Sequence, residues 1–132
     1  MAASAILADS SFYIKLMRQG QDPFAALAAA AATRDLAICG VVRCEVGRAL
    51  RVPKVRQRFH ACWDVMINVP TDNRLWEETE QTLWELDRKG VILPLTDVVI
   101  ACCAKRIGGI VLTYDQHFSQ IPGLRWTERL ED

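Results

Sequence analysis

Short apolar runs that alternate with longer helical segments are the feature of this sequence that most constrains its fold. Three runs have the length and continuous apolar character of buried strands: Ala5–Ala8, Leu36–Cys39 and Ile110–Thr113. Two further segments, Ile67–Val69 and Leu124–Thr127, are weaker strand candidates. Strands alternating with helices predict an α/β fold with a mostly parallel central sheet. Right-handed connections would place helices on both faces of that sheet.

Capping residues and apolar periodicity predict the helices between these strands. Asp9 is followed by two serines, which together form a helix-start signal, and Pro23 suits the first position of a helix. Thr71 or Asp72 is expected to cap a long amphipathic helix that Gly90 closes. The predicted helices cover residues 13–18, a segment opened by Pro23, and residues 41–51, 54–66, 72–89 and 97–107.

Length, charge and cysteine content limit the class of protein. The 132 residues contain no linker or repeat, which predicts one domain over residues 1–132. Because 16 basic and 16 acidic residues cancel, nucleic acid would have to bind through a local patch. Five cysteines without good zinc spacing favour reduced thiols. Without a secretory signal or an apolar run near the ~20 residues of a membrane span, we expect a cytoplasmic protein.

Four acidic residues stand out by their positions: Asp9, Glu45, Asp97 and Asp115. Each has a structural explanation when it is taken alone. Asp9 can cap a helix, Asp97 lies in a first helical turn that favours an acid, and Asp115 lies in a turn. Glu45 borders an apolar face in mid-helix, where a carboxylate needs a partner or a cation, and Arg48 can pair with it.

Taken jointly, the acidic residues favour a metal site. A parallel sheet can bring all four to one edge, because sites in open α/β sheets lie at the carboxyl ends of the strands. Carboxylates about 4 Å apart repel by roughly 4 kcal/mol per pair at an effective dielectric of about 20, so a cluster needs a counter-ion. Oxygen-rich sites suit Mg²⁺ or Mn²⁺, and these ions typically act on phosphate esters.

The sequence resembles the PIN-domain family, and among its members the VapC-type toxins of prokaryotic toxin–antitoxin pairs. The resemblance rests, in family order, on the segments ILADSS (6–11), VRCEV (42–46), LTDVVIA (95–101) and VLTYDQHF (111–118). It implies a three-layer α/β/α fold with a parallel sheet, Mg²⁺- or Mn²⁺-dependent endonuclease action on RNA, an antitoxin partner and a homodimer. Asp9, Glu45, Asp97 and Asp115 would be the catalytic and metal-binding residues, with Asp9 and Asp97 as the central ligands.

Several polar neighbours of these acids have two interpretations. Thr113 would orient a carboxylate or a water molecule, or is an ordinary β-branched strand residue. Ser10 and Ser11 would position water or phosphate, or only cap a helix. His117 stands where some relatives have another acid, so a second metal ion would be held weakly, or only when RNA is bound. A histidine in a surface turn is the expected role of His117, with phosphate contact or acid catalysis as the alternatives.

The basic residues are unevenly distributed along the chain. Glu45 is the only acid between Arg43 and Arg58, a stretch whose basic residues include the RNA-binding candidates Arg43, Arg48, Arg51, Lys54 and Arg56. This stretch either seats the RNA backbone or is a solvated helix face. Trp84 lies off the apolar face formed by Leu75, Leu83 and Leu86, which suggests a contact with a second subunit or with the antitoxin.

Three other functions compete with the ribonuclease. A catalytically silent PIN-like module that binds a protein or RNA would be favoured by the loss of an acid, but all four are present. A phosphate-receiving regulatory domain needs an acidic pair after the first strand, and Asp9 has no acidic neighbour. DNA in place of RNA stays open, since the sequence does not distinguish a ribose from a deoxyribose substrate.

Overall fold

The computed structural model describes residues 4–130 and is organised around a five-stranded sheet. Its strands are β1 (Ile6–Ala8), β2 (Leu36–Cys39), β3 (Ile67–Val69), β4 (Ile110–Leu112) and β5 (Trp126–Thr127). They lie in the spatial order β3-β2-β1-β4-β5, and every neighbouring pair is parallel. The predicted α/β fold with a parallel sheet is therefore confirmed, and β1 is its central strand.

Helices connect the strands in the described part of the chain. They are α1 (Ser10–Arg18), α2 (Pro23–Ala31), α3 (Gly40–Gly47), α4 (Pro53–Asp64), α5 (Asn73–Arg88) and α6 (Leu95–Arg106), with a short 3-10 helix over Gln116–Gln120. Of the two caps expected for the long helix α5, Asp72 is the one used, since its side chain accepts from the Leu75 N–H. Pro23 occupies the start of α2 as predicted.

Several element boundaries differ from the prediction. The helix α3 ends at Gly47, four residues before the expected Arg51. The reason is a turn, in which the Leu50 N–H donates to the Gly47 carbonyl, followed by extended backbone at Val52. Val52 precedes Pro53, and a residue before proline avoids the helical conformation. The last strand is also shorter than expected and begins at Trp126.

The core lies on both sides of the central strands. Leu7, Ile38 and Val111 are fully buried in the sheet, which explains why the parallel strands are continuously apolar. The helix α6 is buried from Val98 to Ala104, and Cys102 and Cys103 within it are packed thiols rather than metal ligands. On α5, Leu75 and Leu86 are buried as predicted, and so is Thr79, which the sequence pattern did not single out.

An aromatic cluster joins α1, α2 and α4. The ring of Trp63 meets the rings of Tyr13 and Phe59 edge-on, with centroids 5.8 and 5.6 Å apart. Phe24 packs against Phe59 at 4.8 Å. Such edge-to-face pairs add to the stability that burial provides. Trp63 is therefore a core residue, whereas Trp84 is 55% exposed.

The helices of the described residues were compared with the length and apolar character of a membrane span. Among residues 4–130, no helix combines the length and the apolar character that crossing a bilayer requires.

Candidate active site

The sheet topology brings the acidic residues to one edge. Asp9 directly follows β1, and its N–H donates to the carbonyl of Leu112, the last residue of β4, at 3.0 Å. Asp115 comes three residues after Leu112. The helix α6 leads into β4, so its first turn, which carries Asp97, lies at the carboxyl edge of the sheet. The helix α3 leaves the same edge after β2 and carries Glu45.

The carboxylate of Asp9 is buried and accepts several hydrogen bonds. Its Oδ1 accepts from the Ser11 hydroxyl at 2.7 Å and from the Phe12 N–H at 3.2 Å. Its Oδ2 accepts from the Thr113 hydroxyl at 2.7 Å. Burial raises the pKa of Asp9, although these hydrogen bonds act in the opposite direction. Asp9 thus caps α1 and is also held rigidly beside β4.

Two hydroxyl groups fix the loop after β4. Because Ser11 and Thr113 each donate their single proton to Asp9, their mutual contact of 3.2 Å has no proton left to share. Both oxygens instead accept from backbone groups, Ser11 from the Tyr114 N–H at 3.1 Å and Thr113 from the Asp115 N–H at 2.9 Å. The position of Asp115 is therefore tied to Asp9.

Glu45 has a different partner from the one that the sequence suggested. Its Oε1 accepts from the Ser10 hydroxyl at 2.5 Å, and among the described residues no ion pair forms between Glu45 and Arg48. Ser10 is the first residue of α1, so this contact links α1 to α3 across the site. The structure therefore gives no support to the helical ion pair as the reason for a carboxylate at Glu45.

Of the four acids, Asp97 is the one whose carboxylate accepts the fewest hydrogen bonds from the described residues. Its side chain is 16% exposed and accepts no hydrogen bond from the described residues, so it does not cap α6. Burial, followed by the negative charges of Asp115, Asp9 and Glu45, raises the pKa of Asp97 to about 6. The charges of all three other acids thus contribute to the raised pKa of Asp97.

His117 lies against two of the acids. Its Nδ1 is 3.2 Å from Asp115 Oδ1 and 3.9 Å from Asp97 Oδ2, and its backbone N–H donates to Asp115 Oδ1 at 2.9 Å. The sequence predicts a histidine in a surface turn, and the side chain is 55% exposed. Its position against the acids was missed. The replacement of an acid by histidine after Asp115 was the signal that could have found it.

The arrangement fits a divalent cation. One ligand atom each from Asp97, Asp115 and His117 lies within 4.8 Å of the others. The Asp97 oxygens are free of hydrogen bonds in the described residues, and no lysine or arginine there pairs with Asp9, Glu45, Asp97 or Asp115. Partly buried carboxylates without a cationic partner are costly, and a metal ion supplies the missing charge. Asp9 and Glu45 stand outside this ligand group and act on it through their charges.

The basic residues proposed for RNA binding lie on α3, α4 and the turn between them. Arg43 is engaged with Asp64 at 2.9 Å and with Asn68 at 3.2 Å. The remaining members are exposed and form no ion pair with a described residue: Arg48, Arg51, Lys54 and Arg56.

Comparison with known proteins identifies related folds. The family model of the PIN domain matches residues 6–124. The structure of VapBC2 from Rickettsia felis bound to a promoter DNA fragment is 17% identical, covers 93% of this chain and 97% of that chain, and superposes with a TM-score of 0.78. DNA-bound VapBC from Salmonella typhimurium is 20% identical, covers 95% of this chain and 98% of that chain, and has a TM-score of 0.77. Comparison with curated protein sequences gives no match.

Proposed function

This chain belongs to the PIN domain family, whose model matches residues 6–124, and on that premise we propose that it is a metal-dependent endoribonuclease, the toxin of a VapBC-type toxin–antitoxin pair. The observation that carries the proposal is an acidic site without a lysine or arginine partner in the described residues, in which ligand atoms of Asp97 and Asp115 lie within 4.8 Å of each other beside Asp9 and Glu45. Such a site suits a hard divalent cation and phosphodiester chemistry.

The metal would be Mg²⁺ or Mn²⁺, and Asp97 and Asp115 are the residues best placed to hold it. When bound, such an ion polarises the phosphoryl oxygen, lowers the pKa of water and stabilises the leaving oxygen. Asp9 and Glu45 would coordinate the ion directly or through water, and their charges act on Asp97. One of the four acids accepts the proton of the attacking water, while Thr113 and Ser10 orient the carboxylates of Asp9 and Glu45.

The RNA backbone would be bound next to this site by the exposed basic residues of α4 and of the turn between α3 and α4. Arg51, Lys54 and Arg56 are exposed and lie on the same stretch of chain as Glu45, which α3 carries. Phosphate contacts of this kind supply affinity without sequence specificity. RNA rather than DNA is proposed on the family resemblance alone.

An antitoxin is the proposed protein partner. The support is the likeness to toxin–antitoxin complexes, which include VapBC2 from Rickettsia felis and VapBC from Salmonella typhimurium. A homodimer is also proposed. Trp84 and Trp76 on α5 are 55% and 43% exposed, which makes them suitable for such a contact. Action on RNA further implies a cytoplasmic location.

Cleavage of total cellular RNA with Mg²⁺ or Mn²⁺ tests the proposal. Purified protein free of antitoxin is compared with its Asp97→Asn variant, and new RNA ends are sequenced. Discrete cuts that require the metal and vanish in the variant are expected. If neither protein cuts and neither binds Mn²⁺, the ribonuclease proposal is wrong and a catalytically silent binding module takes its place.

A further inference from the structure

His117 lies against two carboxylates of the acidic site, and the proposed function assigns no role to this contact. Among the described residues, its Nδ1 is the one basic side-chain atom within 4.0 Å of the carboxylates of Asp97 and Asp115. His117 also opposes the rise in the pKa of Asp97 that burial and the neighbouring acids cause. The imidazole is thus either a charged counter-ion of the acids or a ligand of the ion that they hold.

We propose that His117 is a third protein ligand beside Asp97 and Asp115, and that its imidazole gives the site a preference for a divalent transition ion over Mg²⁺. The inference rests on the proposed metal-dependent function, and it assigns a role to a residue that stands where some relatives carry an acid.

The separations of the ligand atoms suit one shared ion. Metal–ligand distances of about 2.1 Å in an octahedron put neighbouring ligand atoms about 3.0 Å apart and opposite ones about 4.2 Å apart. The His117 Nδ1 lies 3.2 Å from Asp115 Oδ1 and 3.9 Å from Asp97 Oδ2. All three ligand atoms lie within 4.8 Å of one another, so small side-chain rotations bring them onto a common ion.

A chain of hydrogen bonds fixes the His117 backbone relative to the sheet. The Thr113 hydroxyl donates to Asp9 at 2.7 Å and accepts from the Asp115 N–H at 2.9 Å. Asp115 in turn accepts from the His117 N–H at 2.9 Å. These bonds connect Asp9 to the His117 backbone through Thr113 and Asp115, so the loop holds this backbone beside the acids. Positioned ligands of this kind reduce the cost of binding an ion.

The chemistry of the donor set decides which ion is favoured. Mg²⁺ prefers oxygen ligands in a near-ideal octahedron and keeps several waters. Imidazole nitrogen suits the transition ions, whose affinity for a site with nitrogen donors rises along the first row from Mn²⁺. Mn²⁺ is therefore the most demanding probe, since later ions of the row bind more tightly. A carboxylate in place of His117 would remove the preference.

The counter-ion role makes the opposite prediction. If His117 is a protonated partner of the acids, it competes with every cation, and its removal strengthens the binding of both Mn²⁺ and Mg²⁺. If it is a ligand, its removal weakens the binding of Mn²⁺ selectively. The two roles therefore differ in the sign of the effect.

The test measures Mn²⁺ and Mg²⁺ affinity by calorimetry and nitrogen coupling to bound Mn²⁺ by pulsed electron paramagnetic resonance. The variants are His117→Ala, His117→Asp and Asp97→Asn, with His60→Ala as the matched control on α4. We expect His117→Ala to weaken Mn²⁺ binding about tenfold or more, to change Mg²⁺ binding little and to lose the nitrogen coupling. The His117→Asp variant should shift the preference toward Mg²⁺, and His60→Ala should behave as wild type.

Unchanged or tighter Mn²⁺ binding by the His117→Ala variant, or persistence of its nitrogen coupling, overturns the ligand role. In that case the loss of both metals in Asp97→Asn leaves the ribonuclease proposal intact. If Asp97→Asn binds both ions as well as wild type, the metal site itself is wrong and both proposals fall. Circular dichroism of each variant establishes that it is folded.

Discussion

Asp97 is a carboxylate that the fold leaves without a hydrogen bond in the described part of the chain. Burial and the negative charges of Asp115, Asp9 and Glu45 raise its pKa to about 6, although His117 lies 3.9 Å away and acts in the opposite direction. In the metal-free protein, charge on this group opposes folding because the charged form is buried among other charges. Such a residue is typical of a site where function is favoured over stability.

The Asp97→Asn variant should be more stable than wild type in the metal-free state at pH 7. The folded-state pKa lies above the ordinary value of 3.8, so folded protein takes up a proton as pH falls from about 6 to about 4. The stability of the wild type therefore increases as pH falls from about 6 to about 4, and this gain is lost as pH rises back through the same window. We expect a difference of about 1–2 kcal/mol at pH 7, reduced for partial exposure, and none near pH 4.

Chemical denaturation across pH measures this difference, with Glu80→Gln as an exposed control on α5. A variant as stable as wild type at pH 7 would show that the charges are not felt at Asp97. Divalent cations should reverse the order, because only the wild type gains stability from binding them.

Thr113 is the residue through which Asp9 and Asp115 are coupled. Replacement by valine keeps the shape and removes a buried hydroxyl that bonds Asp9 Oδ2 at 2.7 Å. We expect a loss of about 1–3 kcal/mol in the free energy of unfolding, because the buried carboxylate loses a partner. Metal affinity should also fall, since Asp115 loses its tie to the sheet.

The matched control is Thr82→Val on α5, whose exposed hydroxyl donates to its own helix at the Glu78 carbonyl. It should change stability little and metal affinity not at all. Equal effects of the two substitutions on metal affinity would contradict the coupling role of Thr113.

At the scale of elements, the sequence predicts best where one local signal dominates. Local signals were sufficient to predict four elements: the continuous apolar runs predicted β1, β2 and β4, and the proline predicted the start of α2. The end of α3 was not predicted correctly. Val46 and Leu50 continue the apolar period, whereas the turn at Gly47 depends on the path of the chain to Pro53. Contacts across distant elements, such as Ser10 with Glu45, have no local signal at all.

The cap of α5 provides a test at this scale. Asp72 accepts from the Leu75 N–H at 3.0 Å and pairs with Arg106 of α6 at 2.9 Å. The Asp72→Ala variant should be less stable than wild type, mainly through the loss of the cap, since exposed ion pairs contribute little. Thermal unfolding measures the loss. Arg106→Ala, which removes the ion pair and a bond of 3.4 Å to the Pro70 carbonyl but leaves the cap, should cost clearly less, and an equal cost would contradict the capping account.

At the scale of the whole molecule, the formal charge of zero is the sum of acidic and basic residues that are unevenly distributed along the chain. In the proposed function, the acidic site would need a cation before it could approach a phosphate, and the exposed basic residues of α4 and of the turn before it would offer the phosphate contacts. This division explains how a neutral chain would bind RNA through a local patch.

Replacement of Arg51, Lys54 and Arg56 by alanine should weaken RNA binding and reduce its salt dependence, because fewer counterions are released. Fluorescence anisotropy with a single-stranded RNA at several salt concentrations measures both effects. A triple variant of Arg74, Arg88 and Lys89 on and beside α5 removes the same charge elsewhere and serves as the control. Identical salt slopes for the two variants would contradict the basic patch.

The most direct test of the central claim is the rate of RNA cleavage as a function of Mn²⁺ and Mg²⁺ concentration. It compares wild type with Asp9→Asn, Glu45→Gln, Asp97→Asn, Asp115→Asn and the distant Glu80→Gln. The account predicts saturable metal dependence in wild type and Glu80→Gln, and a loss of about a hundredfold or more in each of the other variants. Cleavage that persists without a divalent cation, or that survives the loss of Asp97, would contradict it.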